Sequence, residues 1–204
     1  MNPSSEAVAR AYALARARLS APSLAHCERV AVTARALAQR FGVDEEKAEL
    51  AGLLHDYCRD ETDEALLAQA ASLSMPLLQF EREHPYLLHA RVAAALLRTE
   101  LPGLGEAVLS AIAVHTVGAV PMSDLDRIVY LADMIEPSRD FPGVEGIRWS
   151  CASDDLAECF RRGYARSLAY LMETGRPLHP VSAAVSFSIE RETGRPLFDL
   201  EAVE

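Results

Sequence analysis

Two side-chain types carry most of the chemistry available to this chain, imidazole and carboxylate. The six histidines are His26, His55, His84, His89, His115 and His179. His55 and Asp56 are neighbours and close the apolar run Ala51-Gly52-Leu53-Leu54. An imidazole beside a carboxylate at a helix end offers two ligands to one divalent ion. Alone, the dipeptide reads as a capping aspartate beside a surface histidine. Asp133 changes the reading, because it stands in Tyr130-Leu131-Ala132-Asp133-Met134-Ile135. A carboxylate inside an apolar helix is costly unless it is paired or binds a metal. His26, one position off the apolar face of an earlier helix, can point along a seam. His26, His55, Asp56 and Asp133 thus come from three separated segments that a helical bundle can converge on one cation.

The elements that must position them read as helices. Ala, Leu, Glu and Arg dominate, and Val/Ile/Thr runs are almost absent, which favours helix over strand. From Ser23 to Phe41, apolar residues at Cys27, Val30, Ala34, Leu37 and Phe41 alternate by threes and fours and end at Gly42. Asp44 caps a helix expected to run to about Tyr57, and another begins near Thr62 with Asp63 and Glu64 in its first turn. Further helices are expected over Leu87–Leu97, Gly105–Val114, from a Ser123/Asp126 capping box to Pro137, from a Ser153 cap to Thr174, and over Val181–Thr193. The hexapeptide Glu173-Thr174-Gly175-Arg176-Pro177-Leu178 recurs at 192–197, which reads as two helix stops.

Composition bounds the function. The chain has 204 residues, half of them apolar, with no linker long enough to divide it. This predicts an all-α single compact bundle: residues 1–19 as an N-terminal helix packed on it, 20–185 as the domain, and 186–204 as helix end and tail. Disordered, fibrous and disulfide-stapled classes are excluded. With 20 basic and 30 acidic residues the net charge is −10, which disfavours a nucleic-acid binder. The N-terminus has no uninterrupted apolar segment of the secretory type, and no stretch is long enough to span a membrane. Cys27, Cys58, Cys151 and Cys159 form no CxxC pair and are expected as free thiols in a cytoplasmic protein.

Longer stretches carry a resemblance. Ala48–Tyr57 (AELAGLLHDY), Leu87-Leu88-His89, His115-Thr116-Val117-Gly118, Tyr130–Val144 (YLADMIEPSRDFPGV) and Gly175–Pro180 (GRPLHP) resemble the HD-domain metal-dependent phosphohydrolases. More specifically, they resemble the YqeK-type symmetrical diadenosine tetraphosphate hydrolases, over roughly residues 20–185. The resemblance implies a helical HD fold and a divalent metal, usually iron, as one or two ions, with manganese, cobalt or zinc as alternatives. It implies a dinucleoside polyphosphate as substrate and ADP as product. Residue by residue, His26, His55, Asp56 and Asp133 match the metal ligands. Asp56, His89 and His115 are then the expected catalytic groups, with His89 and His115 at the phosphate face or on a second ion. Arg139 and Phe141-Pro142-Gly143-Val144 match the substrate segment. Ser23 stands where many members carry Arg, a contact that Arg29 can supply.

The chemistry agrees. Phosphoanhydride cleavage needs charge neutralisation and an activated water, both of which a metal supplies. The Arg139 fork suits a phosphate on an otherwise acidic protein. His179 is expected to make a structural hydrogen bond, Cys27 and Cys58 to be packed thiols, His84 to be exposed and Trp149 to anchor packing. Competing functions are another HD-type phosphohydrolase, on a nucleoside monophosphate, a deoxynucleoside triphosphate or a cyclic dinucleotide, and a non-catalytic nucleotide sensor. The oligomeric state is left open, a homodimer included.

Overall fold

A computed structural model describes residues 3–198, with side chains from residue 8. Residues 199–204 of the expected tail lie outside the described residues. Eleven α-helices and one 3-10 turn make up the described chain, and no strand occurs among these residues. The helices are α1 (Pro3–Arg18), α2 (Ala21–Phe41), α3 (Glu45–Leu54), α4 (Asp63–Ser72), α5 (Gln79–Glu83), α6 (Leu88–Glu100), α7 (Glu106–Val114), α8 (Asp124–Ile135), α9 (Val144–Ser153), α10 (Leu156–Glu173) and α11 (Val181–Thr193).

The local signals act as the sequence suggests. Asp44 caps α3, Thr62 caps α4 and the reciprocal Ser123/Asp126 box opens α8, while α2 starts earlier than expected, capped by Ser20. Gly42 and Gly194 end α2 and α11 in the left-handed conformation. The two copies of the repeated hexapeptide straddle the ends of α10 and α11, as helix stops do.

The core is continuous from α1 to α11. Ala11 and Ala15 of α1, the inner faces of α2, α3, α6, α7, α8 and α10, and Val185 and Ile189 of α11 all belong to it. Helices α2 and α3 form the closest pair. A Cβ at Gly52 would stand 2.9 Å from the Ala31 Cα and 3.0 Å from the Val30 carbonyl oxygen, so only glycine permits this crossing. Helix α8 packs across α2, α3 and α7, and α10 backs onto α8. The first cation-ligand candidates therefore sit on the helices that pack most tightly.

Four expectations are corrected. Ser153 does not cap the long helix. It ends α9, its hydroxyl bonding back to the Trp149 carbonyl, and Asp155 caps α10. Helix α9 escaped notice because its polar, glycine-containing sequence buries only Val144, Ile147, Ser150 and Cys151. Trp149 is 61% exposed and anchors nothing, because it faces away from that short buried stripe. Cys151 and Cys159 form a disulfide, since the α9–α10 turn brings their Cα atoms within 5.2 Å. His84 is half-buried, its ring 4.6 Å from that of Phe80.

Candidate metal centre and active-site cleft

Helices α3, α7 and α8 end at the same place. His55 is the C-cap of α3, His115 that of α7, and Asp133 lies in the last turn of α8. Helix C-termini carry a partial negative charge, so three of them at one point favour a cation. His26 reaches in from α2 and His89 from the first turn of α6.

The geometry joins these residues into two groups sharing Asp56. On one side, His26 Nε2 lies 3.9 Å and His55 Nε2 3.4 Å from Asp56 Oδ2. Asp133 Oδ1 is 3.0 Å from His26 Nε2 and 3.9 Å from His55 Nε2. On the other side, Asp56 Oδ1 is 3.1 Å from His89 Nε2 and 3.5 Å from His115 Nε2. His26/His55/Asp56 and Asp56/His89/His115 each place their ligand atoms within 4.8 Å of one another.

Three of the four rings are held in the same way. Nδ1 of His55, His89 and His115 donates to the carbonyl three residues earlier, at Gly52, Tyr86 and Ile112, over 2.8, 2.6 and 2.8 Å. This fixes the tautomer and turns each Nε2 lone pair toward the cluster. His26 instead sets Nδ1 3.2 Å from Glu136 Oε1, a carboxylate–imidazole pair. Glu136 is itself buried and accepts hydrogen bonds from Arg29 Nε at 2.7 Å and the Ser138 amide at 2.8 Å.

A divalent metal fits this donor set. His55 Nε2 is buried with no hydrogen-bond partner, and its lone pair faces the Asp56 and Asp133 carboxylates. A lone pair against carboxylate oxygens is relieved by a positive charge between them, a proton or a bound cation. Burial alone would depress the His55 pKa, but the Asp56 carboxylate raises it well above the ordinary value. Burial pushes Asp56 up, yet His55 and the close contacts of His115 and His89 bring it well below the ordinary range. Burial lowers His115, keeping it neutral and able to ligate.

Arg139 stands at the mouth. Its Nε donates to the Asp133 carbonyl at 2.8 Å and its Nη2 to the Asp133 carboxylate, with His26 Nε2 3.4 Å away. Nη1 makes no hydrogen bond to the described residues. Phe141 lines a 490 Å³ cavity with Arg139, whereas Val144 is 4% exposed and Gly143 forms the αL turn before α9. Neither is among the residues lining the cavities around the cluster.

Several functional residues escaped the sequence reading. Arg148 donates to the carbonyls of Ile135, Glu136 and Arg139, pinning the loop that carries Arg139. Glu136, which holds His26 and Arg29, is another. Its place in the α8 C-cap, three residues after Asp133, was the available signal. Thr116 Oγ1 lies 3.3 and 3.1 Å from Nε2 of His89 and His115. Arg29 meets a carboxylate, as the Ser23 departure suggested. His179 makes its structural bond, Nδ1 accepting from the Val181 amide at 3.1 Å, and Cys27 and Cys58 are buried free thiols.

Fold and site together define a helical hydrolase-type domain with a His/Asp cluster that could hold a metal ion. The chain belongs to the HD domain family, whose model matches residues 23–138, and such a domain implies divalent-metal dependence. The chain is 35% identical over 170 residues to the Bacillus subtilis protein named symmetrical bis(5'-nucleosyl)-tetraphosphatase, covering 83% of this chain and 90% of that one. A protein of the same name from Halalkalibacterium halodurans is 36% identical over 177 residues, 86% of this chain and 92% of that one. The crystal structure of a predicted HD superfamily hydrolase involved in NAD metabolism from Clostridium acetobutylicum superposes with a TM-score of 0.85 at 28% identity, over 91% of this chain and 97% of that one.

Proposed function

We propose that the protein is a metal-dependent hydrolase that splits dinucleoside tetraphosphates at their midpoint, diadenosine tetraphosphate giving two ADP. The observation that carries the reading is Asp56, whose two oxygens face two separate histidine pairs at the floor of a 200 Å³ cavity also lined by Arg139. Two relatives named for that activity match over most of their length. In the reaction a water oxygen adds to one central phosphorus and the bridging oxygen leaves with the other half.

His26, His55, Asp56 and Asp133 would hold one ion, and Asp56, His89 and His115 a second. Ions bound there would polarise phosphoryl oxygens and lower the pKa of the attacking water. Iron is the metal proposed, on the resemblance to the YqeK-type enzymes, since nitrogen and carboxylate ligands also suit manganese, cobalt and zinc. The backbone-held imidazoles keep their Nε2 atoms fixed on the reacting region without reorganisation. Arg139 offers its open Nη1 to a phosphate while Arg148 holds its loop. Phe141 forms the wall beside it. The protein is read as acting in the cytoplasm.

Elemental analysis of protein purified without chelator, followed by product identification on diadenosine tetraphosphate, tests this reading. Two ADP per substrate, with about two ions per chain, are expected. ATP plus AMP, or no turnover with full metal, would overturn it.

A further inference from the structure

The metal cavity does not stand alone. It shares Met134, Arg139 and Ser167 with the 490 Å³ cavity on the Phe141 side. It shares Arg59, Thr116, Tyr130 and Ser167 with a 280 Å³ cavity, which also meets the Phe141-side cavity at Ser167 and Tyr170. The cleft is therefore continuous, and two further cavities open from the one that holds the His/Asp cluster.

The second of these has its own chemistry. In a protein of net charge −10, no carboxylate among the described residues lines it, while Arg59 and Arg176 do. Arg59, three residues past Asp56, is exposed and makes no side-chain hydrogen bond or ion pair to the described residues. Arg176 has no carboxylate partner among them and lies over the Tyr170 ring at 5.4 Å. The apolar wall is aromatic. Phe80 meets the His179 ring edge-on at 5.3 Å, and Tyr86 is 48% exposed beside them. With its Nδ1 accepting from Val181, a neutral His179 carries its proton on Nε2 and can donate to a heterocycle nitrogen. Arg176 and His179 both come from the Gly175–Pro180 segment, which the Arg139 side leaves without a task.

We propose that this cavity is a second nucleoside subsite, taking the purine half of the substrate that the Arg139-side cavity does not hold, with Arg59 on the phosphates. The proposal rests on the midpoint-cleavage reading above. A cut at the centre of a symmetrical molecule places the same groups on both sides of the reacting atoms. One chain must then hold two identical halves with two different surfaces. Aromatic stacking suits a purine face, and unpaired guanidinium groups suit the polyphosphate.

The test is equilibrium dialysis of radiolabelled ADP against metal-loaded protein, with diadenosine tetraphosphate turnover measured on the same preparation. The wild type should bind two ADP per chain, and Tyr86→Ala and Arg176→Ala one. Both side chains are exposed, so their loss leaves the core intact. Losing one stacked base should raise KM for diadenosine tetraphosphate about fivefold to a hundredfold. Arg59→Ala should raise it about tenfold. One ADP per wild-type chain, or two in both variants with unchanged KM, would overturn the second subsite while turnover to two ADP leaves the parent reading standing. Absence of that turnover in wild-type protein would sink both.

Discussion

Replacing Gly52 by alanine sets two physical effects of opposite sign against each other. Gly52 lies inside α3, where alanine is intrinsically favoured by about 1 kcal/mol. Against this, its Cβ would meet the Ala31 Cα at 2.9 Å and the Ala31 nitrogen and Val30 oxygen at 3.0 Å. All three atoms are backbone, so no rotamer change relieves the overlap. Helix α3 must move away from α2 by some tenths of an ångström. Overpacking of a tight core contact costs roughly 1–3 kcal/mol, so the clash should outweigh the propensity gain by up to about 2 kcal/mol.

At about 2–4 °C per kcal/mol for a chain of this size, the melting temperature should fall by several degrees at most. Function should suffer more, because α2 carries His26 and the Gly52 carbonyl itself holds His55 Nδ1. Binding constellations tolerate displacements of only about 0.5 Å, and 1 Å of misplacement can cost about a hundredfold in rate. Thermal melting of the metal-free protein, metal titration and kcat/KM on one preparation check this. An unchanged or higher melting temperature together with full metal affinity would refute the close-crossing argument.

Asp56→Ala should abolish turnover and lower bound metal while keeping the helical circular dichroism; full metal with more than a tenth of the activity would rule out Asp56 as the shared ligand. Arg139→Lys should keep the metal but lose about tenfold to a hundredfold in kcat/KM, the worth of one charged hydrogen bond at roughly 1.5–3 kcal/mol; a lower melting temperature with unchanged kcat/KM would make its role structural. Arg148→Met should reproduce part of that loss through the loosened Arg139 loop, visible in KM more than in metal content. The Arg161 guanidinium, with Arg162 beside it, holds the Glu158 carboxyl down to about 2, against burial pushing it up. Because the folded pKa is depressed, its stabilisation is complete above the ordinary value of 4.5 and is lost as pH falls toward 2. The gap in stability between wild type and Glu158→Gln should therefore be full at neutral pH, shrink below about 4.5 and close only as pH falls to about 2.

The sequence disclosed what repeats or caps locally. Spacing by threes and fours placed α2, polar caps placed α3, α4 and α8, and the conflict between Asp133 and its apolar helix marked the site. It did not disclose α9, whose buried stripe is short and interrupted by Gly146, nor α5, which is barely a turn long. Arg148 was illegible for a different reason. Its three acceptors are backbone carbonyls, and no residue type advertises a free carbonyl. The same holds for the three imidazoles, whose orientation depends on oxygens at Gly52, Tyr86 and Ile112, positions that carry no sequence signal.

That backbone contribution explains why an acidic chain can serve a polyanion. The charge that draws a cation comes from Asp56 and Asp133, reinforced by the carbonyl ends of α3, α7 and α8. The histidines add ligand atoms without adding negative charge. Once that centre is neutralised, the cleft is lined by Arg59, Arg139, Arg166 and Arg176, with Asp140 the one carboxylate outside the cluster among its described lining residues. Many of the other described acids are exposed, and many pair with arginines, as in Arg98–Glu106 and Arg127–Glu192. Net charge therefore says little about this substrate. What decides is the local field of the cleft, negative at its floor and positive along both arms. Removing the metal should accordingly weaken nucleotide binding along the whole cleft, because the unneutralised Asp56 and Asp133 charges then oppose the phosphates. ADP dialysis in the presence of chelator checks this, and undiminished binding would show that the arginines alone carry the polyphosphate.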